Sequence, residues 1–187
     1  MLEIIQQFDE SLALFFQSIQ NPITNIPMII ITTLGDEGIF WIVLAVILFF
    51  FKKTRKVSLM LVAALGLCLV CNNMILKNIF SRERPFVVLE SIELLIEAPS
   101  SYSFPSGHSV SSLACATTLF ITYKNSHKWV AIGAMVLAVL IAFSRLYLCV
   151  HFFTDVLVGS LLGVVLGIVA VYAINFAEKK WIQLKKK

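Results

Sequence analysis

The chain has 187 residues, about one domain's worth, of which 59% are hydrophobic and only 14% charged, and its mean hydropathy is +0.90. A soluble domain usually carries about 25% charged residues to cover its surface, so a water-coated globule is excluded and lipid must solvate most of the chain. The net charge of +4 does not point to nucleic acid, because the basic residues border apolar stretches.

The N-terminus lacks a basic leader region and opens with Glu3, Asp9 and Glu10, so no cleavable signal peptide is expected. Ile4, Ile5, Phe8, Leu12, Phe15, Phe16 and Ile19 fall at helical spacing with polar residues between them, which predicts an amphipathic helix lying in the membrane interface over residues 1–21. Residues 22–35 are apolar but interrupted by Pro22 and Pro27. They could span, dip in and return, or join the next helix. The stretch 39–51 is too short to span alone and reaches the required length of about 20 residues if its helix begins within 27–38, with a break near Gly35 and Gly38. Four further segments, 57–80, 109–123, 129–148 and 152–176, read as spans. Cys68 and Cys71 have CxxC spacing but lie inside the run LVAALGLCLVC, where they read as small apolar residues. The segment 86–100 sets Glu90, Glu93 and Glu97 on one helical face, as an interfacial lid or a plain solvated face. Gly159, Gly163 and Gly167 form GxxxGxxxG, a close-approach surface for another helix. The expected fold is an all-α polytopic membrane helix bundle of five to six transmembrane helices over 22–176. An N-terminal amphipathic helix precedes it, a basic tail over 177–187 follows it, and the whole is one domain.

Charge orients this bundle. The loops 52–56 and 124–128 and the tail hold 11 of the 15 basic residues, and alternation of the spans puts them on one side, the cytoplasm by the positive-inside rule. Lys77, Arg82, Arg84 and Arg145 lie at the opposite face, where basic residues should be scarce. Phosphate binding would explain them.

Three stretches gather on that face: KNIFSRERP with Lys77, Arg84 and Pro85; PSGH, Pro105 to His108; and SRLYLCVHFFTD with Ser144, Arg145, His151 and Asp155. His151 and Asp155 are four apart, so on a helix they share a face. There Asp155 would accept the Nδ1 proton and leave Nε2 bare, a nitrogen able to attack phosphorus. His108 would supply the proton that an alkoxide leaving group needs; the residues alone would also permit the two histidines to exchange roles. Lys77 and Arg84, seven apart on one helical face, and Arg145 would bind the equatorial phosphate oxygens. The amides of Ser106, Gly107 and His108 open a helix and could cradle the same anion. Arg82 stands outside this pattern and reads as an interfacial snorkelling residue. His127 lies on the cytoplasmic side and reads as solvated.

The pattern Lys-x6-Arg-Pro, Pro-Ser-Gly-His, Ser-Arg-x5-His-x3-Asp resembles the type 2 phosphatidic acid phosphatases, the lipid phosphate phosphatases, without a departure in residues, order or intervals. The resemblance implies a membrane phosphatase with His151 as nucleophile, His108 as acid and then base, and Asp155 orienting His151. Lys77, Arg84, Ser106, Gly107 and Arg145 would bind phosphate, on the extracytoplasmic face of the cell membrane. No metal site and no cofactor are expected, because chemistry claims His108 and His151, and His127 lies on the other side. Candidate substrates are undecaprenyl diphosphate, phosphatidylglycerol phosphate and phosphatidic acid. A lipid phosphotransferase and a non-catalytic lipid binder or transporter are the alternatives. The sequence leaves the oligomeric state open.

Overall fold

A computed structural model describes residues 2–185. Helix α1 (Leu2–Ser18) lies against the bundle. Its outward face carries Ile4, Ile5, Phe8, Leu14 and Phe15, while Asp9 and Ala13 are buried. The apolar stripe therefore faces outward, as an interfacial helix requires, and one carboxylate faces the protein.

Asn21 caps α2 (Pro22–Gly35), its side chain accepting from the amides of Ile23 and Thr24, and Pro22 at the first helical position needs no amide partner. After α2 a 3₁₀ turn, Asp36–Gly38, breaks the helix, with Glu37 and Gly38 both at positive φ (48° and 68°). Helix α3 (Ile39–Phe50) then continues. Residues 22–35 thus join the following helix, and Pro22–Phe50 forms one long apolar segment broken at the expected place.

Helix α4 (Arg55–Cys68) passes through a widened π-helical stretch, Leu69–Leu76, into α5 (Lys77–Phe80). Ser81 at φ 43° turns the chain, and α6 (Pro85–Val88) is a single turn. The rest of 86–100 forms no helix, so the expected helical face of Glu90, Glu93 and Glu97 does not exist. Instead Leu89, Ile92, Leu94, Leu95 and Ile96 pack on the turn Tyr147–Val150. The apolar residues of this segment outweigh its carboxylates in deciding how it lies.

Helix α7 (Gly107–Tyr123) is the centre of the bundle, wrapped by α4, α8 (Lys128–Tyr147) and α9 (Phe153–Leu184). Small residues make this possible: Ala114, Cys115 and Ala116 are fully buried. A β-carbon on Gly163 or Gly167 would lie 2.5 Å from the carbonyl oxygen of Val110 or Ala114. The GxxxGxxxG surface of α9 therefore meets α7 of the same chain, backbone against backbone. Large apolar residues of α3, α4, α8 and α9, among them Phe50, Val62, Val136 and Val165, face outward.

Pro22–Phe50, Arg55–Val88, Lys128–Tyr147 and Phe153–Leu184 are long and apolar enough to cross a membrane, and the 17-residue α7 runs among them. Helix α9 continues to Leu184, so residue 176 is no structural boundary, and most of the expected tail is helix. Its Lys186 and Lys187 lie outside the described residues. An ion pair between Lys56 and Glu178 puts the 52–56 loop and the end of α9 at the same end of the bundle.

Candidate active site

At the opposite end, Lys77, Arg84, Gly107, His108, Arg145 and His151 line one cavity of about 520 Å³. The sequence motifs therefore converge, though by routes that differ from those expected. Helix α5 stops at Phe80, and Arg84 sits in extended backbone before α6. Lys77 and Arg84 do not share a helical face; they meet through Ser101. Lys77 Nζ donates to Ser101 Oγ (2.8 Å), and Arg84 Nε donates to Ser101 O (2.7 Å). Arg84 Nη1 also donates to Val150 O at 2.7 Å. Arg145 Nη1 donates to Thr32 Oγ1 of α2.

Lys77, Arg84 and Arg145 are 8%, 4% and 2% exposed, and their protein partners are neutral, oxygens in each case and for Arg84 also the His151 ring. Among the described residues none of the three forms an ion pair within 4 Å. Arg145 Nε is buried without any hydrogen-bond partner. Buried cations normally have a counter-charge, because desolvation is expensive. Three around one cavity could together offset the charge of a multiply charged anion.

His151 and Asp155 are also joined differently. His151 lies in the turn before α9, not on it. Asp155, at the third position of that helix, reaches back so that Oδ2 accepts from the amide of Phe152 at 2.9 Å. His151 Nδ1 lies 3.6 Å from Asp155 Oδ2, too far for a good hydrogen bond. Ser103 fills the gap, with Oγ 3.3 Å from His151 Nδ1 and 2.5 Å from Asp155 Oδ2. The tautomer follows from the partners. Arg84 Nη1 lies 3.3 Å from His151 Nε2, and a guanidinium only donates, so Nε2 must carry the lone pair. Nδ1–H then donates to Ser103 Oγ, whose hydroxyl donates to Asp155. Burial, and after it the Arg84 guanidinium, hold the His151 imidazole well below its ordinary pKa, so the ring is neutral. A neutral ring with Nε2 unprotonated beside three cations can attack an electrophilic phosphorus bound among them.

Ser106 caps α7, its Oγ accepting from the amide of Ser109, but its own amide donates to the carbonyl of Asp155 at 3.1 Å. The Ser106 amide is thus engaged, contrary to expectation. The amides of Gly107 and His108, in the first turn, have no partner within the helix. Gly107 lines the cavity, and a β-carbon there would meet nothing closer than 3.7 Å.

Arg82 is not a snorkelling residue. Its Nη1 donates to Asp155 Oδ1 (2.7 Å) and Thr154 Oγ1 (2.7 Å), and its Nη2 to Asp9 Oδ2 (2.8 Å) and Gln6 Oε1 (3.0 Å). It stacks over Phe152, 4.3 Å from the ring centroid. Asp9, fully buried, also accepts from the amide and hydroxyl of Thr154. Sequence reasoning missed Ser101, Ser103, Thr32 and Asp9. All four lie outside the three motifs, and Asp9 is one of several polar residues of α1 that spacing alone does not single out.

Away from the cations the cavity becomes apolar, lined by Ile42 and Val46 of α3, Val62 and Leu65 of α4, and Leu69 at the start of the π-helical stretch. Gly66 of α4 also lines this part of the cavity, and a β-carbon there would meet no atom within 4 Å.

Comparison with known proteins gives the chain's family. The chain is 36% identical over 136 residues to an undecaprenyl-diphosphatase of Sulfolobus acidocaldarius, a match that covers 73% of this chain and 64% of that protein. It is 36% identical over 173 residues to phosphatidylglycerophosphatase B of Bacillus subtilis, covering 87% of this chain and 81% of that one. The crystal structure of a transmembrane PAP2 type phosphatidylglycerolphosphate phosphatase from Bacillus subtilis superposes with a TM-score of 0.76 at 32% identity, over 95% of this chain and 87% of that one. Residues 55–179, which hold all three motifs, match the PAP2 superfamily, and the chain belongs to it.

Proposed function

We propose that the protein hydrolyses the terminal phosphate of a membrane lipid, as a monoester or a diphosphate, through a phosphohistidine on His151. The observation that carries this is the cavity itself. Three buried cations, without an ion pair among the described residues, and two imidazoles stand at one end, and an apolar region lined by α3 and α4 runs from the other. A phosphorylated headgroup complements the first, and an acyl or prenyl chain complements the second. A lipid could enter sideways from the bilayer without leaving it.

In this reading Lys77, Arg84, Arg145 and the amides of Gly107 and His108 hold the equatorial oxygens. Nε2 of His151 attacks phosphorus in line, and the Ser103–Asp155 pair stabilises the cationic ring that results. His108 protonates the departing oxygen and then activates water. The basic 52–56 loop and the end of α9 lie at the far end of the bundle, which by the positive-inside rule supports a site on the extracytoplasmic face. The relatives' names make undecaprenyl diphosphate and phosphatidylglycerol phosphate the first two lipids to try, with phosphatidic acid third.

The test is phosphate release from the three lipids in detergent, with EDTA present throughout, since the cationic cluster does the neutralising a metal would otherwise do. We expect turnover of at least one lipid, inhibition by vanadate, and no turnover by a folded His151→Ala protein. Full activity of His151→Ala, or activity lost in EDTA and restored by one metal, would overturn the mechanism. Label passed from lipid to a second organic acceptor, with no free phosphate, would favour a phosphotransferase.

A further inference from the structure

The break between α2 and α3 has a chemical consequence. A β-carbon on Gly35 would lie 2.6 Å from both His108 Cδ2 and Ile141 Cγ2, so the edge of the His108 ring rests directly on the backbone of α2. The next residue is Asp36. The chain reverses after it, through Glu37 and Gly38 at positive φ, and Asp36 Oδ1 lies 2.9 Å from His108 Nε2. Three separate features therefore hold His108 in one orientation: a glycine seat, a helix break and a carboxylate. All three precede residues 55–179, the part matched by the superfamily.

A carboxylate only accepts, so Nε2 of His108 carries its proton permanently toward Asp36. That leaves Nδ1 as the atom able to exchange a proton with substrate. Nδ1 makes no hydrogen bond to any described residue, and His108 lines the cavity. We propose that Asp36 is the positioning residue of the acid–base histidine, so that the site holds two carboxylate-oriented imidazoles presenting opposite nitrogens: Nε2 of His151 to phosphorus and Nδ1 of His108 to the leaving group. The inference rests on the phosphatase reading above.

The bond from His151 Nε2 to phosphorus forms as the bond from phosphorus to the lipid oxygen breaks, and the proton on His108 Nδ1 passes to that oxygen. His108 is left neutral, with its lone pair on Nδ1 and its remaining proton on Nε2. In the second half Nδ1 takes a proton from water as the water oxygen attacks phosphorus and the phosphorus–nitrogen bond breaks. Asp36 gains no proton in either half; its charge offsets that of the imidazolium and its position fixes the tautomer.

A defect in proton donation depends on the leaving group, whereas a loosened site does not. First-turnover release of the leaving group would therefore be measured for wild type, Asp36→Asn and Asp36→Glu, in detergent, on two probes. One is a long-chain alkyl phosphate, which must expel an alkoxide. The other is a nitrophenyl phosphate bearing an alkyl chain, whose phenolate leaves unprotonated. Asp36→Asn should slow the alkyl probe on the order of 10²-fold, in line with the usual contribution of general acid catalysis, and the nitrophenyl probe less than about threefold. Asp36→Glu, which keeps the carboxylate, should recover most of the alkyl rate. Equal slowing of both probes, an unaffected Asp36→Asn, or an Asp36→Glu no better than Asp36→Asn would overturn the proposal. Wild type inactive on both probes would instead remove the phosphatase reading and this inference with it.

Discussion

Gly163→Ala tests the packing that sets the site's dimensions. The new methyl carbon would stand 2.5 Å from the Val110 carbonyl oxygen, 3.0 Å from Leu113 Cβ and 3.1 Å from the Ala114 amide nitrogen, where ordinary contact begins at 3.4 Å. Two of those three obstacles are backbone atoms, which cannot rotate aside, so α9 must retreat from α7 by about 1 Å. Forced overpacking of this kind costs about 1–3 kcal/mol. The same retreat separates Asp155, two turns earlier on α9, from His108 at the start of α7. A misplacement of about 1 Å between reacting groups can cost about 10²-fold in rate. Lipid phosphate release and thermal unfolding in detergent would be measured together, with Gly133→Ala as the control, because a β-carbon at Gly133 meets nothing within 4 Å. We expect Gly163→Ala to lose both stability and turnover and Gly133→Ala to lose neither. A Gly163→Ala protein with wild-type turnover and melting would refute the claim that helix separation sets catalytic geometry.

Two further outcomes are expected. Arg82→Ala leaves the buried carboxylates of Asp9 and Asp155 facing each other without their shared cation, which should cost about 1–3 kcal/mol and most of the turnover; an Arg82→Ala protein indistinguishable from wild type would return Arg82 to a surface role. Because the folded state holds His151 below its ordinary pKa of 6.5, the unfolded chain takes up a proton that the folded chain refuses. The stability linked to the neutral ring is thus complete above pH 6.5 and declines as pH falls below it. Melting curves of wild type and His151→Gln between about pH 7 and 5 should converge toward the acid end, and parallel curves would contradict the assignment.

The spans, their order and the gathering of the motifs at one end were legible because hydropathy and basic-residue bias report directly on the bilayer. The cations were legible because a buried charge needs a reason. What spacing could not convey was the chain's reversals. Among the described residues outside glycine, positive φ occurs at Glu37, Ser81 and Cys149. Each lies within three residues of a group at the site: Asp36, Arg82 with Arg84, and His151. Strained backbone of this kind concentrates where geometry matters most, and it defeats helical arithmetic. Lys77 and Arg84 read as one helix face and meet through a turn. His151 and Asp155 read as a direct pair and are bridged by Ser103, a residue 48 positions from one and 52 from the other. The segment 86–100 read as amphipathic because its glutamates recur at helical intervals, yet the apolar surface of the Tyr147–Val150 turn claims its hydrophobic residues first.

Helix α1 inserts a single carboxylate, Asp9, behind the candidate site and turns its greasy side away from it. Anyone who shortens this protein past residue 9 removes the counter-ion of an arginine that also grips Asp155. The resulting loss of activity would mimic an active-site mutation, although every motif residue would still be in place.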